Sequence, residues 1–425
     1  MKLDPYWLDS ARRFSATEQQ AVDGEVDVAV IGGGFTGLSA ALSLARAGTQ
    51  VAVLEAGQLA SDASGRNGGH VNNGLSHNFI GVVKKYGLER ASAMYKAYDD
   101  AVETVERVVT EENIDCDFRR SGKIKLAAKP KHYDSLARNA DALVKGVDTD
   151  VELLPKDKAA EQIGSEQFHG GLLQRRSAMM HMGRFGAGLA EAAQRAGALL
   201  HQNAAVTQVS RDADAKWKVV TARGTLRAAE VFLATGASTT KVFSHFRRRI
   251  VPVGSYVIAT EPLNETGHNS VMPARRTATT TKNVGNYFRL SDDNRLIFGG
   301  RASFSISSPR TDARSKPILE KSMLKVFPQL KGVRIDYCWG GLIDITADRL
   351  PRAGCHDGIF FAMGYSGHGA QMSVHMGKLM ADTILGKTVD NPFADLNWPV
   401  IPGHFGAPWF LPLVGAYYRT LDVIR

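Results

Sequence analysis

The spacing of apolar positions changes period near the start of the chain. Val26, Val28, Val30 and Ile31 form a short apolar run that predicts a buried strand. From Leu38 the period becomes helical, with Ala41, Leu42 and Ala45 on one face and Gly48 as the stop. Residues 50–55 predict a second strand that ends at Glu55. Between the first strand and the helix lie Gly32, Gly34 and Gly37, in G-x-G-x-x-G spacing. Strand, glycine turn, helix, strand and closing acid occur in register, which predicts a dinucleotide-binding unit. Gly32 permits the tight turn, Gly34 lets backbone approach a pyrophosphate, and Gly37 lets the helix pack closely on the strand. Backbone amides at Phe35 and Thr36 open the helix and favour phosphate charge there. Glu55, followed by Ala56, is placed to accept hydrogen bonds from a ribose diol.

Further along, residues 81–112 and 131–145 carry helical spacing, and residues 122–128 read as a strand. A helix over about residues 184–196 leads to a strand at 205–209, a pair that would continue a parallel sheet. Residues 217–234 predict two strands across a turn at Gly224 and a third at 231–234. The third opens onto the small residues Thr235 and Gly236. From 251 to 333 the period is close to 2, with a turn at 292–294 between two hairpin strands. This predicts an antiparallel sheet in a second domain. Ile359, Phe361 and Met363 predict a late strand. Gly364, Gly367 and Gly369 then turn around Ser366 and His368, and a long helix follows from Ala370 and Gln371. It is a second strand–glycine-turn–helix unit, with amides at a helix N-terminus.

Composition narrows the class. At 425 residues two domains are expected, and 44% hydrophobic with 22% charged residues fits a globular fold. The net charge of +9 is diffuse, its densest run being Arg247, Arg248 and Arg249, and no nucleic-acid reader motif accompanies it. Cys116, Cys338 and Cys355 are far apart and show no metal-ligand pattern, which fits a reducing, cytoplasmic setting. No run approaches ~20 apolar residues, so no transmembrane helix is expected, and peripheral membrane attachment is left open. The apolar stretch 405–418 is short and holds two prolines. Packing on the body or on a second copy of the chain is the expectation for it.

Residues 64–74, SGRNGGHVNNG, hold four glycines nine residues after Glu55. Read as a linker they need no explanation. Read as a second cofactor wall, Ser64, Gly65, Arg66, Asn67, Gly68, Gly69 and His70 pass along a nucleotide, with Arg66 and Asn67 donating to it. The late glycine turn would then close the same site.

Taken together, VIGGGFTGLSAA, SGRNGGHV, ATGAS, SYVIATEPL, WGGLIDITADRLP and GYSGHGAQMS resemble the D-amino-acid-oxidase-like (DAO) superfamily of FAD-dependent oxidoreductases over residues 23–386. Within it the chain is most similar to γ-glutamylputrescine-oxidase-like members. The resemblance implies an α/β plus α+β fold. A Rossmann-like FAD-binding domain of the glutathione-reductase type (1–85, 155–248 and 335–390) is interleaved with an antiparallel-sheet substrate domain (86–154 and 249–334). Residues 391–425 form a C-terminal extension. It further implies that Gly32, Gly34, Gly37 and Glu55 hold the ADP half and that Val206 holds the adenine through its backbone. Residues 64–70 would wrap the pyrophosphate, ribityl chain and flavin edge. Residues 364–369, with Gly341 nearby, would face the pyrimidine side of the flavin.

The departures from the family's amino-acid oxidases carry the substrate expectation. Glycine-oxidase-like members carry a carboxylate-clamping arginine where this chain has Ile343. Sarcosine-oxidase-like members carry a carboxylate-binding lysine where it has Gln371. Each lost charge-assisted partner is worth ~1.5–3 kcal/mol. The expected substrate is therefore an amine whose reacting carbon lacks a carboxylate. Hydride transfer to flavin N5 and imine hydrolysis to an aldehyde would follow, with O2 or another acceptor reoxidising the flavin. The alternatives are an oxidase or dehydrogenase of a secondary or cyclic amino acid, and a non-catalytic flavoprotein subunit. His70, Tyr256, Asp344, His368 and Arg301 are the candidate catalytic residues, Arg301 for a remote carboxylate. Cys338 does not align with the family's flavin-attaching cysteine, so FAD is expected to be non-covalent.

Overall fold

The computed structural model describes residues 1–15, 21–300, 304–406 and 408–424, save the side chains of residues 266 and 268. Two eight-stranded sheets organise it. The first centres on the strand Glu25–Ile31. That strand lies parallel to Val51–Leu54 on one side and to Gly224–Leu233 on the other. Leu199–His201 extends the parallel array beyond Val51–Leu54, and Ile359–Met363 extends it beyond Gly224–Leu233. The central stretches Val28–Ile31, Val51–Leu54 and Val231–Leu233 are buried on both faces, as a parallel sheet requires. The helices Phe35–Arg46 and Gly369–Ile384 pack against one another, and a Cβ on Gly377 would collide with the Thr36 carbonyl.

Two details differ from the periodicity reading. The strand that continues the parallel sheet after the helix Met182–Arg195 is Leu199–His201, three residues long. The predicted strand at 205–209 exists as Val206–Arg211 but pairs antiparallel with Trp217–Thr221. The separate strand at 231–234 is the end of one ten-residue strand, Gly224–Leu233. Its first half pairs with Trp217–Thr221 and its last three residues pair with Ile359–Met363 along the same edge.

The second sheet runs in the order Ile335–Ile345, Val251–Thr260, Leu296–Gly300, Asn286–Leu290, Thr277–Thr280, Lys123–Leu126, Gly171–Gln174 and Val151–Leu154. All neighbours are antiparallel except Thr277–Thr280 with Lys123–Leu126. The hairpin across 292–294 is present. This sheet takes Gly171–Gln174 and Ile335–Ile345 from stretches that the sequence reading assigns to the nucleotide half. It also carries the helix Pro309–Val326, which the period-2 reading of 251–333 does not contain. A capping box between Ser308 and Thr311 starts that helix, and Leu319 and Met323 bury its face.

The C-terminal stretch turns back onto the second sheet. In the helix Leu411–Ile424, Leu411 is buried in a small apolar cluster with Val251, Val253 and Phe304. The Asp422 carboxylate accepts the backbone N–H groups of Asn283 and Val284, both at 2.8 Å. Trp409, Leu413 and Tyr417 remain exposed. No helix among the described residues is long and apolar enough to cross a membrane.

Candidate active site

A deep cavity opens between the two sheets, walled by three loops from distant parts of the chain. The first wall is the early glycine turn. Gly32 has φ +107, and a Cβ there would meet the Ala234 carbonyl oxygen at 2.6 Å. Gly34 caps the helix Phe35–Arg46, and Gly34, Phe35 and Thr36 line the cavity. Gly32 and Gly37 lie behind, where they bring strand and helix together. The Glu55 carboxylate brackets the turn, accepting Gly33 N–H and Gly57 N–H at 2.7 Å each. Glu55, Ala56 and Val206 stand outside the cavity lining. They neighbour one another, since Ala204 N–H donates to the Glu55 carbonyl at 2.7 Å, two residues before Val206.

The second wall is the stretch 64–74. Ser64 Oγ accepts Phe35 N–H at 3.0 Å and so fastens this wall to the first. Ser64, Arg66, Asn67, Gly68 and His70 line the cavity, while Gly65 and Gly69 face protein. Arg66 donates to the carbonyls of Gly340 (3.0 Å) and Ser61 (3.2 Å). Asn67 Oδ1 accepts Gly69 N–H at 2.9 Å, and its amide donates to the Ser64 carbonyl at 2.9 Å. Arg66 thus ties the loop to the strand Ile335–Ile345, Asn67 braces the loop's own backbone, and both line the cavity. The glycines have a protein-side reason as well. A Cβ on Gly68 would meet the Tyr287 ring at 2.5 Å. Gly69, at φ +78, would meet Arg289 at 2.8 Å and the Met180 carbonyl at 2.9 Å. Arg289, fully buried, donates to the Gly69 carbonyl at 2.7 Å and to the Met180 carbonyl at 3.0 Å.

The third wall is the late glycine turn. The buried Asp344 carboxylate accepts Gly364 N–H at 2.6 Å and Tyr365 N–H at 3.2 Å. Burial raises its pKa to about 6, against the pull of those amides. Asp344 therefore pins the turn while also lining the cavity. Ser366 N–H donates to the Asp344 carbonyl at 3.0 Å, which holds Ser366 behind the lining with Gly364. The Tyr365 hydroxyl pairs with Thr36 Oγ at 2.8 Å, joining this wall to the first. Gly367, His368, Gly369, Ala370 and Gln371 line the cavity, as do Thr235, Gly236 and Gly341.

The catalytic candidates separate. His70 Nδ1 bonds the Gly68 carbonyl at 3.0 Å, and its ring stands edge-on to Tyr287. His368 caps the helix Gly369–Ile384. Burial first, with nearby cations second, lowers both pKa values to about 3, so both rings are neutral. Tyr256 is fully buried on the far side of its strand, 2.8 Å from Ser305 Oγ. Its neighbour Ser255 faces the cavity and pairs with the Tyr287 hydroxyl at 3.1 Å. Side chains alternate along a strand, so a one-residue shift exchanges faces. Arg301 lies outside the described residues. Asn72, Thr279, Tyr287 and Tyr365 are lining residues that the sequence reading does not name.

Nine buried polar atoms lack a hydrogen-bond partner among the described residues, and four of them belong to cavity-lining side chains. They are His70 Nε2, His368 Nδ1, Gln371 Oε1 and Ser373 Oγ. Buried polar groups are normally paired, so this edge fits a polar ligand that completes it. With helix N-termini at Phe35 and Gly369, the cavity suits a long group with a charged pyrophosphate at one end and a hydrogen-bonding ring at the other.

The sequence profile of FAD-dependent oxidoreductases of the DAO type matches residues 27–383. The chain belongs to the DAO family of FAD-dependent oxidoreductases. As a DAO-family member it is an enzyme acting on CH–NH groups, with FAD as its cofactor. It is 32% identical to γ-glutamylputrescine oxidoreductase of Escherichia coli (strain K12), over 98% of this chain and 97% of that one. It is 34% identical to the probable oxidoreductase OrdL of Haemophilus influenzae (strain ATCC 51907 / DSM 11121 / KW20 / Rd), over 99% and 97%. In fold it is similar to glycine oxidase from Geobacillus kaustophilus, with a TM-score of 0.72 at 24% identity, over 90% of this chain and all of that one. Ile343, on the strand Ile335–Ile345, and Gln371, in the third wall, both line the cavity.

Proposed function

We propose that the protein oxidises a C–N bond in an amine of the γ-glutamylputrescine type, whose reacting carbon bears no carboxylate. One observation carries this reading. Arg66 is the sole lysine or arginine lining the cavity among the described residues, and its guanidinium is engaged by two backbone carbonyls. An α-carboxylate there would lose its hydration and gain no cation, a costly exchange. An uncharged carbon flanked by a neutral amine meets no such penalty. The full-length similarity to a γ-glutamylputrescine oxidoreductase supports the same reading.

Bound FAD supplies the two-electron acceptor for the hydride equivalent that leaves the substrate's α-carbon. The walls at residues 32–37, 64–70 and 364–371 are the proposed holders of that group, with Glu55 and Val206 at its adenosine end. The chain's own task is positioning. His70, fixed through Nδ1, presents a neutral acceptor nitrogen to the amine N–H. The Ser255–Tyr287 pair provides hydroxyls beside it. Amides at the start of the helix Gly369–Ile384 favour negative charge at that end of the cavity. The amine nitrogen releases one proton, and water hydrolyses the imine to an aldehyde and ammonia. Product analysis tests the reading. An aldehyde from γ-glutamyl-putrescine is expected, and turnover of sarcosine, proline or pipecolate in its place overturns it.

A further inference from the structure

A lysine stands one strand beyond the row of side chains that lines the cavity. In the antiparallel sheet Tyr287 pairs with Thr279, and Thr279 pairs with Lys125. Paired residues share a face of the sheet, and Tyr287 and Thr279 both line the cavity. Ile124 and Leu126 project the other way, into the second apolar core. Adjacent strands lie about 4.8 Å apart, a step that a flexible four-carbon stem spans.

Three cations occupy this face, and two are engaged. Arg289 holds the Gly69 and Met180 carbonyls, and Lys123 donates to the Asn73 carbonyl. The Lys125 ammonium has neither a hydrogen bond nor an ion pair among the described residues. Burial alone acts on it, pulling its pKa below the ordinary value of 10.5. Lys123 and Lys125 are two residues apart on one strand and so share the face of Thr279, and both charges disfavour a proton on the cavity-lining His368. A partly desolvated cation without a counter-charge is costly and asks for an anion. Four strands separate Lys123–Leu126 from Ile335–Ile345, whose Ile343 stands where the glycine-oxidase-like members grip an α-carboxylate.

We propose that Lys125 binds a carboxylate carried by the amine substrate at the end remote from the oxidised C–N bond. The inference rests on the substrate reading above and names the group that would recognise its acyl end. Arg301, the sequence candidate for that role, is not needed for it.

The test compares wild-type holoenzyme with Lys125→Met and Lys125→Arg at equal flavin content. The substrates are γ-glutamyl-putrescine and N-(4-aminobutyryl)-putrescine, which lacks only the carboxylate. The preference for the carboxylated amine, as a ratio of kcat/KM values, should fall roughly 10- to 100-fold in Lys125→Met, the size of one charge-assisted contact. Lys125→Arg should retain most of it. An unchanged preference overturns the proposal. A second arm titrates sodium butyrate against the flavin absorbance spectrum. The wild type should respond, and Lys125→Met should need at least about ten times more butyrate. Equal responses, or none in the wild type, overturn the proposal. Should the wild type oxidise neither amine, the substrate reading fails, and the butyrate arm alone decides Lys125.

Discussion

Asp344 accepts the Gly364 amide at 2.6 Å, and by that bond the end of one sheet holds the glycine turn that closes the cavity from the other. The carboxylate is buried, and its pKa is raised from 3.8 to about 6. A raised carboxylate pKa means that the folded state binds the proton more tightly than the unfolded chain. The group's favourable contribution is thus complete below about pH 4 and is lost as pH rises through about 6. The stability difference between the wild type and Asp344→Asn should shift against the wild type by roughly 2 kcal/mol from pH 4 to pH 7. Urea unfolding of both proteins across that range measures it, and a flat difference contradicts the assignment.

Gly69 and Arg289 predict a coupled loss. Gly69→Val places a Cβ against Arg289 and the Met180 carbonyl at a positive φ. Arg289→Met removes the clamp on the same loop. Each change should cost about 3 kcal/mol or more of stability and lower the flavin-to-protein absorbance ratio. Because both act on one loop, the double variant should lose less than the sum. Full additivity, or normal flavin content in either variant, contradicts the wall assignment.

The strand Val251–Thr260 gives a sharper test, because two adjacent residues face opposite ways. Tyr256→Phe acts in the core and should leave kcat/KM within about two-fold. Ser255→Ala removes a hydroxyl at the cavity and should lower kcat/KM about ten-fold with flavin content retained. The reverse order would mean that the strand presents its other face.

Both candidate histidines are held near pKa 3 by burial and neighbouring cations. A lowered histidine pKa places its stabilising contribution above the ordinary value of 6.5, and it is lost as pH falls toward 3. Neither ring should then contribute a limb to the kcat/KM profile between about pH 6 and 9. The rise in that range should report the substrate ammonium and be unchanged in His368→Asn. A limb near pH 6.5 that vanishes in this variant contradicts a neutral His368.

Cys338 is buried and its thiol donates to the Asp312 carbonyl at 3.1 Å, away from the cavity. Acid precipitation should therefore leave the flavin in the supernatant. Flavin retained in the pellet contradicts non-covalent binding.

What the sequence reveals and hides follows from how locally each feature is specified. The glycine turns at Gly32 and Gly364 are legible because backbone geometry demands glycine at fixed spacing between a strand and a helix. The strand Leu199–His201 is too short to carry a period. The helix Pro309–Val326 is obscured by Pro317 in its interior, although Ser308 and Thr311 mark its start. Ser255 and Tyr256 cannot be told apart by type, because the larger, more polar-tipped residue is the one that packs inward. Lys125 reads as a solvated strand charge until the partners of Arg289 and Lys123 are known. Its neighbour Thr279 belongs to a strand 154 residues later, so their adjacency exists only in the sheet.

The central claim is that this cavity takes electrons from an amine whose reacting carbon carries no carboxylate. Anaerobic mixing of the FAD-loaded protein with a panel of amines and amino acids tests it most directly. The account predicts bleaching of the flavin absorbance by γ-glutamyl-putrescine at low concentration and slow or absent bleaching by glycine, sarcosine, proline and pipecolate. Bleaching by those amino acids with none by the polyamine derivative would contradict it.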